Sequence, residues 1–109
     1  DELPKYHSSP EIKVGCPDSI KFKLVSENIA KDIKAVYPTA NYVEIDGVRF
    51  DTDEEMGVIR ASQNGPYITI KYESKTAEEC IKLKKVLAEI LHKYPEIDFK
   101  DGVNTDALE

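Results

Sequence analysis

The stretch Arg60-Ala61-Ser62-Gln63-Asn64-Gly65-Pro66 holds the residues of this chain best suited to binding chemistry. An arginine offers a planar fork of donors, a serine hydroxyl and an asparagine amide add single hydrogen bonds, and a glycine lets a ligand approach the backbone closely. Those are the parts of a cradle for phosphate. Residues 56–72 include no acid, although the chain has 21 Asp and Glu among 109 residues, and Arg60 is one of two arginines, the other being Arg49. An anion here would meet no repulsion from sequence neighbours. The same residues admit a plainer reading, because Asn-Gly between two alternating segments is a strong signal for a two-residue type I′ hairpin turn.

Elements that could position this stretch follow from periodicity. Residues 11–16 alternate apolar and polar and stop at Pro17, which predicts a strand. Phe22, Val25, Ile29, Ile33 and Val36 form a helical stripe, with Asp18 placed as N-cap and Pro38 beyond the end, so a helix is expected over 19–36. Ile20, Phe22 and Leu24 fit a strand period over a shorter span, and Ser26-Glu27-Asn28 could interrupt the helix. From Asn41 the period is two. Residues 42–45 and 48–51 pair as a hairpin across Asp46-Gly47, another type I′ dipeptide, with Arg49 facing solvent or a neighbouring domain. Residues 52–55 turn, residues 57–61 lead into the Arg60 loop, and residues 67–73 return from it with Ile68, Ile70 and Tyr72 on one face. Thr76-Ala77-Glu78-Glu79 is a capping box opening a helix whose apolar stripe is Cys80, Leu83, Leu87, Ile90 or Leu91, and Tyr94. Lys82, Lys84, Lys85 and Glu89 fall on its solvated face, and Pro95 ends it.

The predicted architecture is α+β, a mainly antiparallel sheet with two helices on one face in the order β-α-β-β-β-β-α. Residues 1–10, with Pro4, Ser8-Ser9 and Pro10, read as a linker and residues 11–99 as one domain. Residues 100–109 read as a flexible tail whose final Leu108-Glu109 can be taken as an appended scar.

Composition narrows the function classes. A hydrophobic content of 40% with 33% charged residues suits a globular domain, and no apolar run approaches the ~18 residues that a membrane span needs. A net charge of −6 opposes nucleic-acid binding, which calls for a basic stripe. Cys16 and Cys80 are too few and too far apart for a disulfide framework or a Cys-x-x-Cys metal site, so both are read as reduced and the chain as cytoplasmic. His7 and His92 have no ligand-spaced partners, and no metal site is expected.

Set in order, Asp46-Gly47-Val48-Arg49-Phe50-Asp51, Gly57-Val58-Ile59-Arg60-Ala61-Ser62, Pro66, and the run closing in Glu73-Ser74-Lys75-Thr76-Ala77-Glu78-Glu79 resemble the C-terminal domain of the α-D-phosphohexomutases, in their phosphomannomutase/phosphoglucomutase branch. That pattern is a D-G-V-R hairpin, an R-x-S phosphate loop ending in Pro, and a T-x-E-E helix. The resemblance runs from about Glu11 to Tyr94 and implies a TBP-like fold. It also implies a parent enzyme that moves phosphate between the C1 and C6 oxygens of a hexose through a bisphosphorylated intermediate, using a phosphoserine and Mg²⁺. By the resemblance, Arg60, Ser62, Gln63, Asn64 and Gly65 would hold the substrate phosphate. Relatives commonly carry threonine at the Asn64 position. The catalytic serine, metal and sugar-reading loops are absent here, so this chain alone is expected to be inactive and to bind no Mg²⁺. Its partners would be a hexose phosphate and the remaining domains of the parent. The sugar stays open among mannose, glucose and glucosamine phosphates, as does the alternative of a free-standing α+β interaction module whose Asn-Gly loop is a turn.

Overall fold

Period-two alternation yields a sheet here because each alternating run can turn its apolar side to a shared core. The computed structural model describes residues 7–44 and 47–108. Its strands are β1 (His7–Ser8), β2 (Ile12–Gly15), β3 (Asn41–Val43), β4 (Gly47–Asp51), β5 (Glu55–Ala61), β6 (Tyr67–Ser74) and β7 (Asp98–Val103). A first helical body consists of α1 (Lys21–Lys23), a π-helical turn (Leu24–Ile29) and α2 (Ala30–Val36); α3 (Ala77–His92) is the second, and a 3-10 turn (Thr105–Leu108) follows β7. The lateral order is β3-β4-β5-β6-β2-β7 with β1 also on β6, and the described pairings are antiparallel.

This is the expected α+β arrangement, with the order β-α-β-β-β-β-α kept from β2 to α3. Val14, Phe50, Ile59, Ile68 and Ile70 of the sheet share one core with Val25, Ile29 and Ile33 of the first helical body and Leu83, Leu87 and Leu91 of α3. Both helices therefore cover the same face. The other face presents Lys13, Arg49, Val58, Arg60, Thr69 and Lys71, all exposed or half-buried.

The first helix departs from expectation in an instructive way. It starts at Lys21 after Ile20, with no side-chain cap bond. Asp18, expected as the N-cap, instead places Oδ1 2.6 Å from Lys21 Nζ. Over Leu24–Ile29 the helix widens, and the Ala30 amide donates to the Val25 carbonyl. A uniform α-helix turns about 100° per residue, which would put Phe22 and Ile33 within about 20° of one another. The wide turn takes up one extra residue and shifts the phase by about 100°. The inward face thus passes from Phe22 to Lys21: Phe22 is 47% exposed and Lys21 4%. Val36, also expected inside, is exposed at the end of α2. Ser26, Glu27 and Asn28 widen the helix rather than break it, and all three face solvent.

In α3 the Thr76 hydroxyl accepts from the Glu79 amide at 3.0 Å, as a capping box requires, while the Glu79 carboxylate faces Lys82 at 3.9 Å. Leu83, Leu87, Ile90 and Leu91 are all buried. The Tyr94 hydroxyl donates to the Asp32 carboxylate, and Lys93 Nζ lies 3.0 Å from the same group, tying α3 to α2.

Two segments expected to lack structure belong to the sheet. Within the expected linker 1–10, His7 pairs with Ser74 and Ser8 with Glu73. Pro10 has no N–H to give, and Ser9 compensates: its amide donates to the Tyr72 carbonyl at 2.8 Å and its Oγ accepts from the Tyr72 amide at 3.0 Å. Residues 1–6 lie outside the described residues. Within the expected tail 100–109, β7 pairs with β2 through Lys13↔Val103 and Val14↔Gly102. Leu108 is fully buried, its carbonyl accepts from His92 Nε2 at 3.2 Å, and the Tyr72 hydroxyl donates to the Ala107 carbonyl at 2.7 Å. An edge strand exposed along most of its length needs no apolar alternation, which is why Asp98-Phe99-Lys100-Asp101-Gly102-Val103 shows none.

The β3–β4 hairpin has the register Asn41↔Asp51, Tyr42↔Phe50 and Val43↔Arg49; Asp46, half of its expected type I′ turn, lies outside the described residues. Gly47 has φ +146°, and a Cβ there would sit 2.4 Å from the Ile59 carbonyl oxygen, so glycine lets β4 begin against β5. Gly57 is the second tight point. A Cβ would lie 2.4 Å from Cε1 and 2.7 Å from Cζ of Phe50, whose ring is fully buried and stacked on Tyr37 at 5.0 Å. Gly57→Ala is expected to lower stability by about 1–3 kcal/mol, seen as a fall in the denaturant midpoint. An unchanged midpoint would mean that the ring moves aside at no cost.

Candidate functional site

Arg60 is the penultimate residue of β5 and its side chain stands on the outer, helix-free face of the sheet, because the neighbouring Ile59 and Ala61 are buried in the core. The loop that follows is closed by main-chain bonds, Ser62 N to the Tyr67 carbonyl and Tyr67 N to the Gly65 carbonyl, both 2.8 Å. Ser62 Oγ accepts from the Asn64 amide at 3.1 Å, which still leaves its own hydroxyl proton to donate. Asn64-Gly65 is not a type I′ turn. Such a turn needs positive φ at both central residues, and among the described residues positive φ occurs at Gly47 and Asn104.

Contacts from beneath keep this loop open instead. Lys21 Nζ donates to the Gly65 carbonyl at 2.6 Å and meets Asp18 at the same distance, while the Cys16 amide donates to the Pro66 carbonyl at 2.8 Å. A buried ammonium is tolerated only with such partners. The periodicity reading missed Lys21 altogether, since it becomes an inward residue through the widened turn. Cys16 lies under the loop as well. Burial, with the charge of Glu96 behind it, pushes its thiol above the usual range against the opposing pull of Lys21.

Of the five residues expected to bind phosphate, four line one open cleft of about 270 Å³: Arg60, Ser62, Gln63 and Asn64. Gly65 is set behind it, its carbonyl turned to Lys21. Thr69, paired with Arg60, lines it as well, and beyond Thr69 stand Lys13 and Glu11. Arg60 makes no ion pair among the described residues, in contrast to Arg49, whose Nε lies 3.1 Å from Asp51. The far end of β5 is richer in acids, with Asp51, Asp53, Glu54, Glu55 and Glu73 beside Arg49 and Lys75 around a smaller depression. There, burial first and then the Glu79 carboxyl hold Glu55 above the usual carboxylate range against the Thr52 hydroxyl. Among the described residues no cluster of three or more His, Cys, Asp or Glu could hold a metal ion, and no helix is long and apolar enough to cross a membrane.

No family model matches the chain. It is similar to proteins named phosphomannomutase/phosphoglucomutase, at 32% identity with that of Pseudomonas syringae pv. tomato over 90% of this chain and 21% of the relative. It is 34% identical to a phosphoglucosamine mutase of Methanococcus maripaludis over 76% of this chain and 18% of that one. The chain spans about a fifth of the length of the curated relatives it matches. A phosphoglucomutase/phosphomannomutase family protein from Burkholderia thailandensis shares the fold, with a TM-score of 0.58 and 19% identity over 84% of this chain and 18% of that one.

Lys21→Met removes the ammonium while keeping an apolar stem. The variant is expected to lose about 1–2 kcal/mol and to exchange the Ser62 and Tyr67 amides with solvent faster than wild type. Unaltered exchange at those two amides would show that Lys21 does not hold the loop.

Proposed function

We propose, for a chain that belongs to the phosphomannomutase/phosphoglucomutase family as its C-terminal type of domain, that the Arg60 loop holds the non-reacting phosphate of a hexose phosphate. The parent enzyme would interconvert hexose 1-phosphate and hexose 6-phosphate through a bisphosphorylated intermediate. The observation that carries this reading is an exposed arginine, without an ion-pair partner among the described residues, sharing an open cleft with Ser62, Gln63 and Asn64. Phosphoryl transfer asks the protein mainly to position the substrate and stabilise charge. A phosphate gripped at the end of the substrate away from the reacting bond does the first of these.

In that role the Arg60 guanidinium pairs with two phosphate oxygens, Ser62 donates its hydroxyl, and Asn64 and Gln63 add side-chain amide donors. Mg²⁺, which would assist the transfer in the parent, has no ligand set among the described residues here and would belong to the remaining domains, along with the phosphoserine. Those domains and the hexose phosphate are the partners of this one. A phosphoglucosamine mutase parent is a second reading, favoured by the similarity to the Methanococcus maripaludis protein of that name.

Magnitudes set the test. Three or four charge-assisted hydrogen bonds contribute about 1.5–3 kcal/mol each, and association costs at least about 4 kcal/mol. This chain alone is therefore expected to bind inorganic phosphate with a Kd on the order of 1 mM, seen as selective movement of the Ser62–Tyr67 amide resonances. A silent loop would refute the reading. In the parent, Arg60→Lys keeps the charge but loses the fork, and should cost about 1–3 kcal/mol in kcat/KM with Tm unchanged. The chain by itself should show no interconversion of hexose 1- and 6-phosphates, and measurable turnover would place the nucleophile within it.

A further inference from the structure

The cleft has a second wall, built by β2. The registers set Arg60 opposite Thr69 and Thr69 opposite Lys13, a single row across β5, β6 and β2. Adjacent strands lie about 4.8 Å apart, so Arg60 and Lys13 rise from the same face about 10 Å apart, with the short Thr69 between them. Side chains of that length can converge on one ligand. Neither makes an ion pair among the described residues. Two residues before Lys13, and on the same face by the pleat, Glu11 borders the same cleft, also without an ion-pair partner among the described residues. Its main-chain carbonyl accepts from Asn104 Nδ2 at 2.9 Å, which fixes the strand where it enters the cleft.

A carboxylate at the rim of a cationic cleft opposes a bare anion. It suits a ligand whose anionic group is followed by hydroxyls, because a carboxylate is a pure acceptor and hydroxyls are donors. We propose that Lys13 and Glu11 complete the site: Lys13 is a second cation on the phosphate, and Glu11 accepts hydrogen bonds from the hydroxyls of its ester. The cleft then selects a polyhydroxylated phosphate ester over inorganic phosphate. This rests on the reading of Arg60 as a phosphate ligand. The competing possibility is that Lys13 and Glu11 serve each other in solution and ignore ligands.

The test is an amide-shift titration of the chain with inorganic phosphate and, separately, with glucose 6-phosphate. It compares wild type, Lys13→Gln, Lys13→Arg, Glu11→Gln and Arg60→Gln, with Tm as the control for folding. Lys13→Gln should weaken both ligands about threefold to tenfold, and Lys13→Arg should restore them. Glu11→Gln should tighten inorganic phosphate about twofold to fivefold by removing a like charge while lowering the preference for glucose 6-phosphate. If Arg60→Gln weakens binding while the Lys13 and Glu11 variants leave both affinities unchanged, the second wall is refuted and the Arg60 reading stands. If wild type binds neither ligand, or Arg60→Gln binds as wild type does, both fall together.

Discussion

Both edges of β6 must be paired, and much of the remaining structure answers that demand. The strand is eight residues long, and Ile68, Ile70, Tyr72 and Ser74 are all buried, so its main-chain groups need partners on either side. On one side β5 runs its full length, from Glu55↔Ser74 to Ala61↔Ile68. On the other, β2 and then β1 divide the edge, with Ser9 bridging the gap at Tyr72. Once these registers are set, Arg60, Thr69 and Lys13 must stand in one row on the outer face. The row is thus a by-product of strand pairing, and a slip of one residue in any one of the three strands would turn that strand's member of the row into the core.

The charges of this acidic chain are sorted along β5. Thr52, Asp53 and Glu54 turn into the strand at one end, where Glu73 also lies, and Arg60 leaves it at the other. Arg49, the other arginine, is neutralised locally by Asp51. Beneath the loop Lys21 adds positive charge that a ligand would feel but not touch. Its ammonium is spent on the Gly65 carbonyl and Asp18, so it sets loop shape and local potential together.

Much of this could be read before any coordinates, and the gaps have physical causes. Strands β4 to β6 and helix α3 were legible because half-buried strands alternate and because Thr76 caps its helix by side chain. Arg60, Ser62, Gln63 and Asn64 stood out through the acid-free surroundings of their loop. Gly65 is expected among the phosphate ligands, and its carbonyl proves to be tied to Lys21, a residue whose burial depends on helical phase and leaves no local signature. The alternative of a type I′ turn at Asn64-Gly65 is not met either, because tertiary contacts from Lys21 and Cys16 outweigh a two-residue preference. β1 and β7 escaped notice because one is very short and the other is an exposed edge, and neither has to alternate.

Divergence by insertion and deletion would act on this domain through Leu24–Ile29. The surplus residue sits among Ser26, Glu27 and Asn28, all exposed and outside the core. Losing one of them would restore a uniform pitch and rotate the first helical turn by about 100°, carrying Lys21 out from under Gly65 and Phe22 in. The floor of the loop would change from cationic to aromatic with every residue of the loop and the sheet left as it is. In a chain one residue shorter between residues 23 and 30, the same R-x-S signature would then rest on a different floor.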